Sequence, residues 1–228
     1  MLEKLKEEVF RANIDLVKQG LVIHSWGNVS GRDSETGFVV IKPSGVNYAR
    51  MKASDMVVVD LSGKVIEGRL KPSTDTPTHL LLYKSWPRLG GIVHTHSTYA
   101  TAWAQAGRGI PPFGTTHADS FYCEVPCTRK LKPAEIKNDY EINTGMVIVE
   151  RLGSADPLSV PSVLVNSHGP FTWGRNAAEA ADNAITLEEV ARIALYTVLL
   201  GRTEPIEKEL LDKHFLRKHG RNAYYGQK

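Results

Sequence analysis

Two cysteines in 228 residues, Cys123 and Cys127, are too few for a disulfide scaffold. Their Cys-x3-Cys spacing suits neither a redox pair nor half of a four-cysteine zinc site. A reducing, cytoplasmic compartment is the one this usage fits. Long apolar runs are missing too: no stretch approaches about 18 consecutive apolar residues, so no membrane span is expected. The opening Met-Leu-Glu-Lys-Leu-Lys-Glu-Glu sets charge beside every apolar step and does not form a secretory h-region. Nor does one sign of charge dominate. Lys and Arg number 28 against 25 Asp and Glu, a formal +3, and the cations are scattered rather than blocked together, so nucleic acid is not implied as a partner. The one basic run, Lys213 to His219, falls in the last turns of an expected helix, where the dipole favours cations. This leaves a DNA-binding regulator little support. Gly-x-Gly-x-x-Gly and Walker-type phosphate loops are both absent, which sets aside dinucleotide oxidoreductases and P-loop phosphotransferases.

What is present is a globular composition, 42% hydrophobic and 23% charged. At this length about 70% of the unfolded chain's surface can be buried. Neither a Pro/Ser-rich linker nor an internal repeat divides the sequence. The expectation is a single domain over residues 1–228 with a short C-terminal tail, 222–228.

Strand and helix signals interleave along the chain. Leu2, Leu5, Val9, Ala12 and Leu16 recur at steps of three and four with Gly20 beyond, an amphipathic helix closed by glycine. Strand-like runs follow at 38–41, 56–59 and 64–66, the last two joined by the turn Asp60-Leu61-Ser62-Gly63. Further runs lie at Ile92-Val93, Val147-Ile148-Val149 and Val163-Leu164-Val165. Thr76-Pro77 reads as N-cap and first helical residue of a helix towards Pro87. Ser97 caps a helix over 98–106 that ends at Gly107. Asn176-Ala-Ala-Glu179 resembles a capping box before a stripe of Ala184, Leu187, Ala191, Leu195 and Val198, stopped at Gly201. A last helix starts at Pro205 and ends near Gly220. The class is α/β.

His94 and His96 lie two apart at the end of a strand, so both rings leave the same face, roughly 6.6 Å apart along the backbone. Two imidazoles placed this way can meet one ion; equally, they can be two part-exposed histidines at a strand end. His168, in Asn166-Ser167-His168-Gly169-Pro170 after an apolar strand, is the best third ligand, or else a loop cap. Asp75 could close the same shell, or answer the positive end of the helix that follows it. Three histidines and a carboxylate suit Zn2+ or another divalent first-row ion with a position left open.

Lys42-Pro43-Ser44-Gly45 and Lys71-Pro72-Ser73-Thr74 repeat one theme: a cation, a proline that fixes a turn, and a hydroxyl beside a small residue. Trp26-Gly27-Asn28-Val29-Ser30 reads as a third loop of this kind. Each alone is an ordinary turn. Together, beside candidate metal ligands, they suit a phosphorylated small substrate.

Trp26 to Ser30, Lys42 to Gly45, Pro72-Ser73-Thr74-Asp75-Thr76-Pro77-Thr78-His79, His94-Thr95-His96-Ser97, Gly114-Thr115-Thr116-His117-Ala118-Asp119 and Ser167-His168-Gly169-Pro170 together resemble the class II aldolase family. The closer likeness is to its epimerase branch, and it runs from the first helix to Leu211-Asp212-Lys213-His214 and Ala223-Tyr224-Tyr225-Gly226-Gln227. The resemblance implies a three-layer α/β fold with a central, mainly antiparallel sheet flanked by helices, and a C4-type homotetramer with zinc at the subunit interface. It implies His94, His96 and His168 as ligands with Asp75 as a further or variable one. Phosphate contacts fall on Gly27, Asn28, Ser44, Gly45, Ser73 and Thr74, the last replacing a family serine. Family aldolases resemble one another in carrying Glu where this chain has Asp75, which favours epimerisation at C4 of L-ribulose 5-phosphate to D-xylulose 5-phosphate. Asp119 and Tyr225 become the acid and base, with Tyr225 supplied by a neighbouring subunit. His214 and Glu141 support the site, while His117 and His219 are structural or surface residues. The rivals are a ketose 1-phosphate aldolase and a non-catalytic metal- or sugar-phosphate-binding protein.

Overall fold

The computed structural model describes residues 2–226, so the last two residues of the expected tail lie outside the described residues. Seven strands form one sheet: β1 (Gly27–Arg32), β2 (Val39–Ile41), β3 (Val57–Val59), β4 (Val65–Glu67), β5 (Gly91–Thr95), β6 (Ser162–Val165) and β7 (Gly169–Gly174). Their order is β4-β3-β2-β1-β5-β7-β6, and every neighbouring pair is antiparallel.

The β-branched runs make the sheet two-faced, because successive side chains point to opposite sides. Val29, Val40, Val58 and Val93 pack beneath α1 (Glu3–Lys18) and the start of α7 (Ala177–Leu199). Val39, Ile41, Val57, Val59, Ile92, Phe171 and Trp173 pack on the other face, against α2 (Thr76–Ser85) and α6 (Tyr140–Leu152). Helices therefore cover both faces, which is the three-layer α/β arrangement with an antiparallel sheet. A third apolar cluster joins α3 (Thr98–Gln105) to the second half of α7. Two short helices, α4 (Thr115–Ala118) and α5 (Pro133–Lys137), and the terminal α8 (Lys208–His219) complete the chain. No helix of the described residues is long and apolar enough to cross a membrane.

Five local expectations are corrected. Val147-Ile148-Val149 belongs to α6, not to a strand. Thr144, Ile148 and Leu152 are buried at steps of four, so the helical face set by packing overrides the β-branched preference of three residues. Trp26 to Ser30 is a loop only at its start, since Gly27 opens β1. That strand is hidden in the sequence by glycine and polar residues: α1 lies close on Gly31, where a Cβ would come within 2.8 Å of Val9, while on the other face Ser30 Oγ lies 2.8 Å from His79 Nδ1 and 2.9 Å from the Tyr83 hydroxyl. Ser97 makes no side-chain cap; the Glu188 carboxylate of α7 accepts the N–H groups of Tyr99 and Ala100 instead, at 2.8 and 3.0 Å. The last helix starts at Lys208, three residues after Pro205, and Asp75 rather than Thr76 holds the N-cap position of α2.

Candidate active site

In the sheet's register His94 of β5 stands between Asn28 of β1 and Phe171 of β7. Its ring stacks on Phe171 at 4.2 Å between centroids. The Pro170 carbonyl lies 2.9 Å from Nδ1, and a carbonyl only accepts, so Nδ1 carries the proton and Nε2 is bare. His96, one residue past the strand, brings its Nε2 to 3.1 Å from that bare nitrogen. His168 follows Ser167, whose left-handed φ of 61° turns the chain between β6 and β7. Its ring lies 4.7 Å from His94 and 5.1 Å from His96. One ligand atom from each histidine falls within 4.8 Å of the others.

Burial and then the neighbouring imidazoles hold His94 and His168 down at about 3. His96 is lowered by burial, against the pull of Asp75. Three neutral rings thus each bring one ligand nitrogen within 4.8 Å of the others, and a divalent cation is the partner that fits such a set. Asp75 lines the same cavity but stands outside this tight group. Its Oδ2 accepts from Asn28 Nδ2 at 2.6 Å, leaving Asn28 Oδ1 buried and unpartnered.

The cavity holds about 320 Å³, and Gly27, Asn28, Ser44, Gly45, Ser73, Thr74, Asp75 and the three histidines all line it. The two Lys-Pro-Ser strings are neighbours in space: Ser44 N–H donates to the Lys71 carbonyl at 2.9 Å and Ser73 N–H to that of Lys42 at 3.0 Å. Sequence reasoning left Lys42 out of the contact set, although its motif displayed it. Its side chain is buried in the cavity wall, with Nζ 4.7 Å from the Tyr48 ring centroid and donating to the Pro43 carbonyl at 3.1 Å. Burial lowers its pKa to about 8. A buried ammonium whose protein partners are a carbonyl and a ring is suited to an anion.

Asp119 and Tyr225 lie elsewhere; neither lines this cavity. Asp119 follows α4, and its carboxylate accepts from His214 Nδ1 at 3.0 Å and from Arg217 Nη2 at 3.0 and 3.1 Å, with Lys218 Nζ at 3.3 Å. Burial opposes ionisation, but those bonds outweigh it and hold the carboxyl below its ordinary range. Tyr225 folds back over the same helix, its ring 4.8 Å from the Arg217 guanidinium and 4.6 Å from Lys218 Nζ. The chain therefore gathers Asp119, His214 and Tyr225 around α8, apart from the histidines. Glu141 sits in the first turn of α6, where its carbonyl accepts from Thr78. His117 is buried and donates to the Cys123 carbonyl at 2.7 Å, and His219 donates to that of Asp119 at 2.9 Å. Tyr140, whose hydroxyl lies 3.3 Å from His168 Nδ1, had no sequence signal.

These buried imidazoles carry a pH consequence. His79, His94 and His168 are held at about 3 and His117 at about 4, all by burial first, against about 6.5 in an unfolded chain. Between those values the unfolded chain binds the extra protons, so folding stability falls as pH falls from about 6.5 towards 4, by about 1.4 kcal/mol per pH unit for each proton. Thermal melts of metal-free protein should show a steep loss across that window, and a flat profile would contradict the burial of these rings.

The model of the class II aldolase and adducin N-terminal domain matches residues 7–195. Proteins named L-ribulose-5-phosphate 4-epimerase UlaF from Salmonella paratyphi B and Salmonella typhi are each 58% identical to this chain over 228 residues, 100% of both partners. Among solved structures, an L-fuculose 1-phosphate aldolase superposes with a TM-score of 0.79 at 25% identity, covering 92% of this chain and 94% of its own. A second aldolase of that name, from Thermus thermophilus, gives 0.69 at 27%, over 89% and 100%. The domain match spans the sheet and all fourteen residues that line the cavity and stops before α8, while the full-length relatives extend the likeness through the Asp119 and Tyr225 cluster. On both grounds the chain belongs to the class II aldolase and adducin N-terminal domain family.

Proposed function

We propose that this chain is a Zn2+-dependent L-ribulose-5-phosphate 4-epimerase, a cytoplasmic homotetramer that converts L-ribulose 5-phosphate to D-xylulose 5-phosphate. The observation that carries the reading is one cavity in which three neutral imidazoles converge beside a hydroxyl- and cation-lined cradle. The 58% identical relatives bear the epimerase name. His94, His96 and His168 would hold Zn2+, with Asp75 as a further ligand. Bound there, the ion would supply a Lewis acid for the negative charge that develops on the sugar.

The protein's part is to hold the phosphate and to move two protons. Ser44, Gly45, Ser73 and Thr74 offer hydroxyls and backbone N–H groups to the phosphate, Gly27 and Asn28 close its other side, and Lys42 supplies charge. One group takes the C4 hydroxyl proton as C3–C4 opens. The glycolaldehyde phosphate fragment turns over, and the other group returns a proton as the bond re-forms on the opposite face. A carboxyl held ionised accepts protons, which gives Asp119 the acceptor's part and Tyr225 the donor's in this direction. Since neither lines the cavity of its own chain, both come to it from a neighbouring subunit.

The solved relatives named aldolases raise the second reading, ketose 1-phosphate cleavage. Asp75 opposes it: its carboxylate is one methylene shorter than the aldolases' Glu and is tied to Asn28 at 2.6 Å, too short and too constrained to service the carbon of the fragment. The test is purified protein with L-ribulose 5-phosphate, D-xylulose 5-phosphate being followed by a coupled assay, before and after chelation and return of Zn2+. Activity lost with the chelator and restored by zinc supports the epimerase. No interconversion at any metal content overturns it, and free aldehyde released from other ketose phosphates moves the assignment to the aldolase. In the same assay Lys42→Met should raise KM roughly 10- to 100-fold, the worth of a charged hydrogen bond, with kcat little changed. An unchanged KM would remove Lys42 from the phosphate site.

A further inference from the structure

A histidine that binds metal through one nitrogen needs its other nitrogen held, because that second bond fixes both the tautomer and the plane of the ring. The sheet does this for His94 through the Pro170 carbonyl. His168 stands outside the strand ladder, on the turn made by left-handed Ser167, so the ladder offers its ring nothing comparable. The group that reaches it is the Tyr140 hydroxyl, 3.3 Å from Nδ1, with the two rings 6.1 Å apart.

We infer that Tyr140 is a positioning residue for the metal centre: its phenol oxygen accepts the Nδ1 proton of His168 and so turns the Nε2 lone pair towards His94 and His96. The inference rests on the metal-site reading proposed above. Tyr140 is well placed for this work. Asp139, left-handed at φ 48°, sets the start of α6, and Thr144 Oγ1 donates to the Tyr140 carbonyl at 2.9 Å. Thr78 Oγ1 of α2 donates to the Glu141 carbonyl at 2.6 Å, so the helix that begins after Asp75 and the helix that begins at Tyr140 are tied together at their first turns. The site is thereby closed from both sides: the sheet orients one ligand and the α2–α6 pair another.

Tyr140→Phe keeps the ring and removes the oxygen. Zinc affinity would be measured by competition with a chromophoric chelator, beside thermal melts of the metal-free protein, for wild type, Tyr140→Phe, His168→Ala and the double variant. The expected result is a roughly 10- to 100-fold loss of affinity in Tyr140→Phe with the metal-free melting temperature unchanged, and no further loss when the change is made in His168→Ala. Wild-type affinity in Tyr140→Phe overturns the inference while leaving the metal site standing. A loss of equal size in the His168→Ala background also overturns it, since the ring would then act by packing. Wild-type protein that takes up no zinc removes the metal reading, and this inference with it.

Discussion

His96→Asn should lower turnover by about a thousandfold and strip the protein of zinc while leaving its fold intact. A Lewis acid contributes several kcal/mol to the charge that develops on the sugar oxygens, and about 4 kcal/mol is a factor of about 10³ in rate. His96 is the ligand on which to test this, because it is the exposed member of the three and lies one residue beyond β5. His94 would confuse the outcome. Its ring is buried, stacks on Phe171 and donates to Pro170, so truncation there leaves a void and an unpaired carbonyl as well as a missing ligand. Metal content, kcat and the melting temperature of metal-free protein, measured together on His96→Asn, separate the two effects. Full zinc content with wild-type turnover would end the case for a three-histidine centre.

The parts of this molecule that were legible in the sequence are those written in local pattern. Val39-Val40-Ile41 and Val57-Val58-Val59 announce strands because β-branched side chains suit a pleated, buried surface. The cavity was readable for the same reason. Seven of its ten expected residues sit in short strings whose spacing matters physically: His94 and His96 on one strand face, and Ser44-Gly45 and Ser73-Thr74-Asp75 on two turns bonded to each other. What stayed hidden depends on contact between distant segments. β1 carries Gly31 because α1 lies against it, and Asn28 and Ser30 because their side chains bond Asp75, His79 and Tyr83 across the other face, and polarity there reads as loop. β7 is broken in the sequence by Pro170, yet that residue's carbonyl is the one that orients His94. Tyr140 and Lys42 are ordinary residues until folding brings one to His168 and buries the other without a counter-charge. The Asp119 and Tyr225 pairing is the extreme case, since the two are joined only through α8.

That last separation leads to the most demanding test. In each chain the histidine cavity and the α8 cluster are distinct, and on the reading proposed above the catalytic site that needs both is built between chains. Tyr225→Phe removes one hydroxyl from an exposed ring and leaves the rest of its stacking over Arg217 and Lys218 in place, so the variant should fold normally and lose roughly 10²- to 10⁴-fold in turnover as the proton donor disappears. His96→Asn is inactive for the separate reason given above. If each site takes its histidines from one subunit and Tyr225 from the next, co-refolding equal amounts of the two inactive variants pairs intact histidines with an intact tyrosine at about one quarter of the interfaces of a closed ring. Activity should then rise to about a quarter of the wild-type value, far above either parent. The recovery needs no new contact and no change in either half-site, only their distribution between chains. A mixture as inactive as its parents, in oligomers shown by mass to have exchanged subunits, would mean that histidines and tyrosine serve the same site from one chain. The α8 cluster would then have to swing across its own subunit to reach the sugar. Its present bonds resist that movement: Asp119 is held by His214, Arg217 and Lys218, and the N–H groups of Tyr224 and Tyr225 both donate to the Arg217 carbonyl, at 2.9 and 3.1 Å. A cluster bonded this firmly to itself would reach a neighbour's cavity whole if the mixed oligomers recover activity.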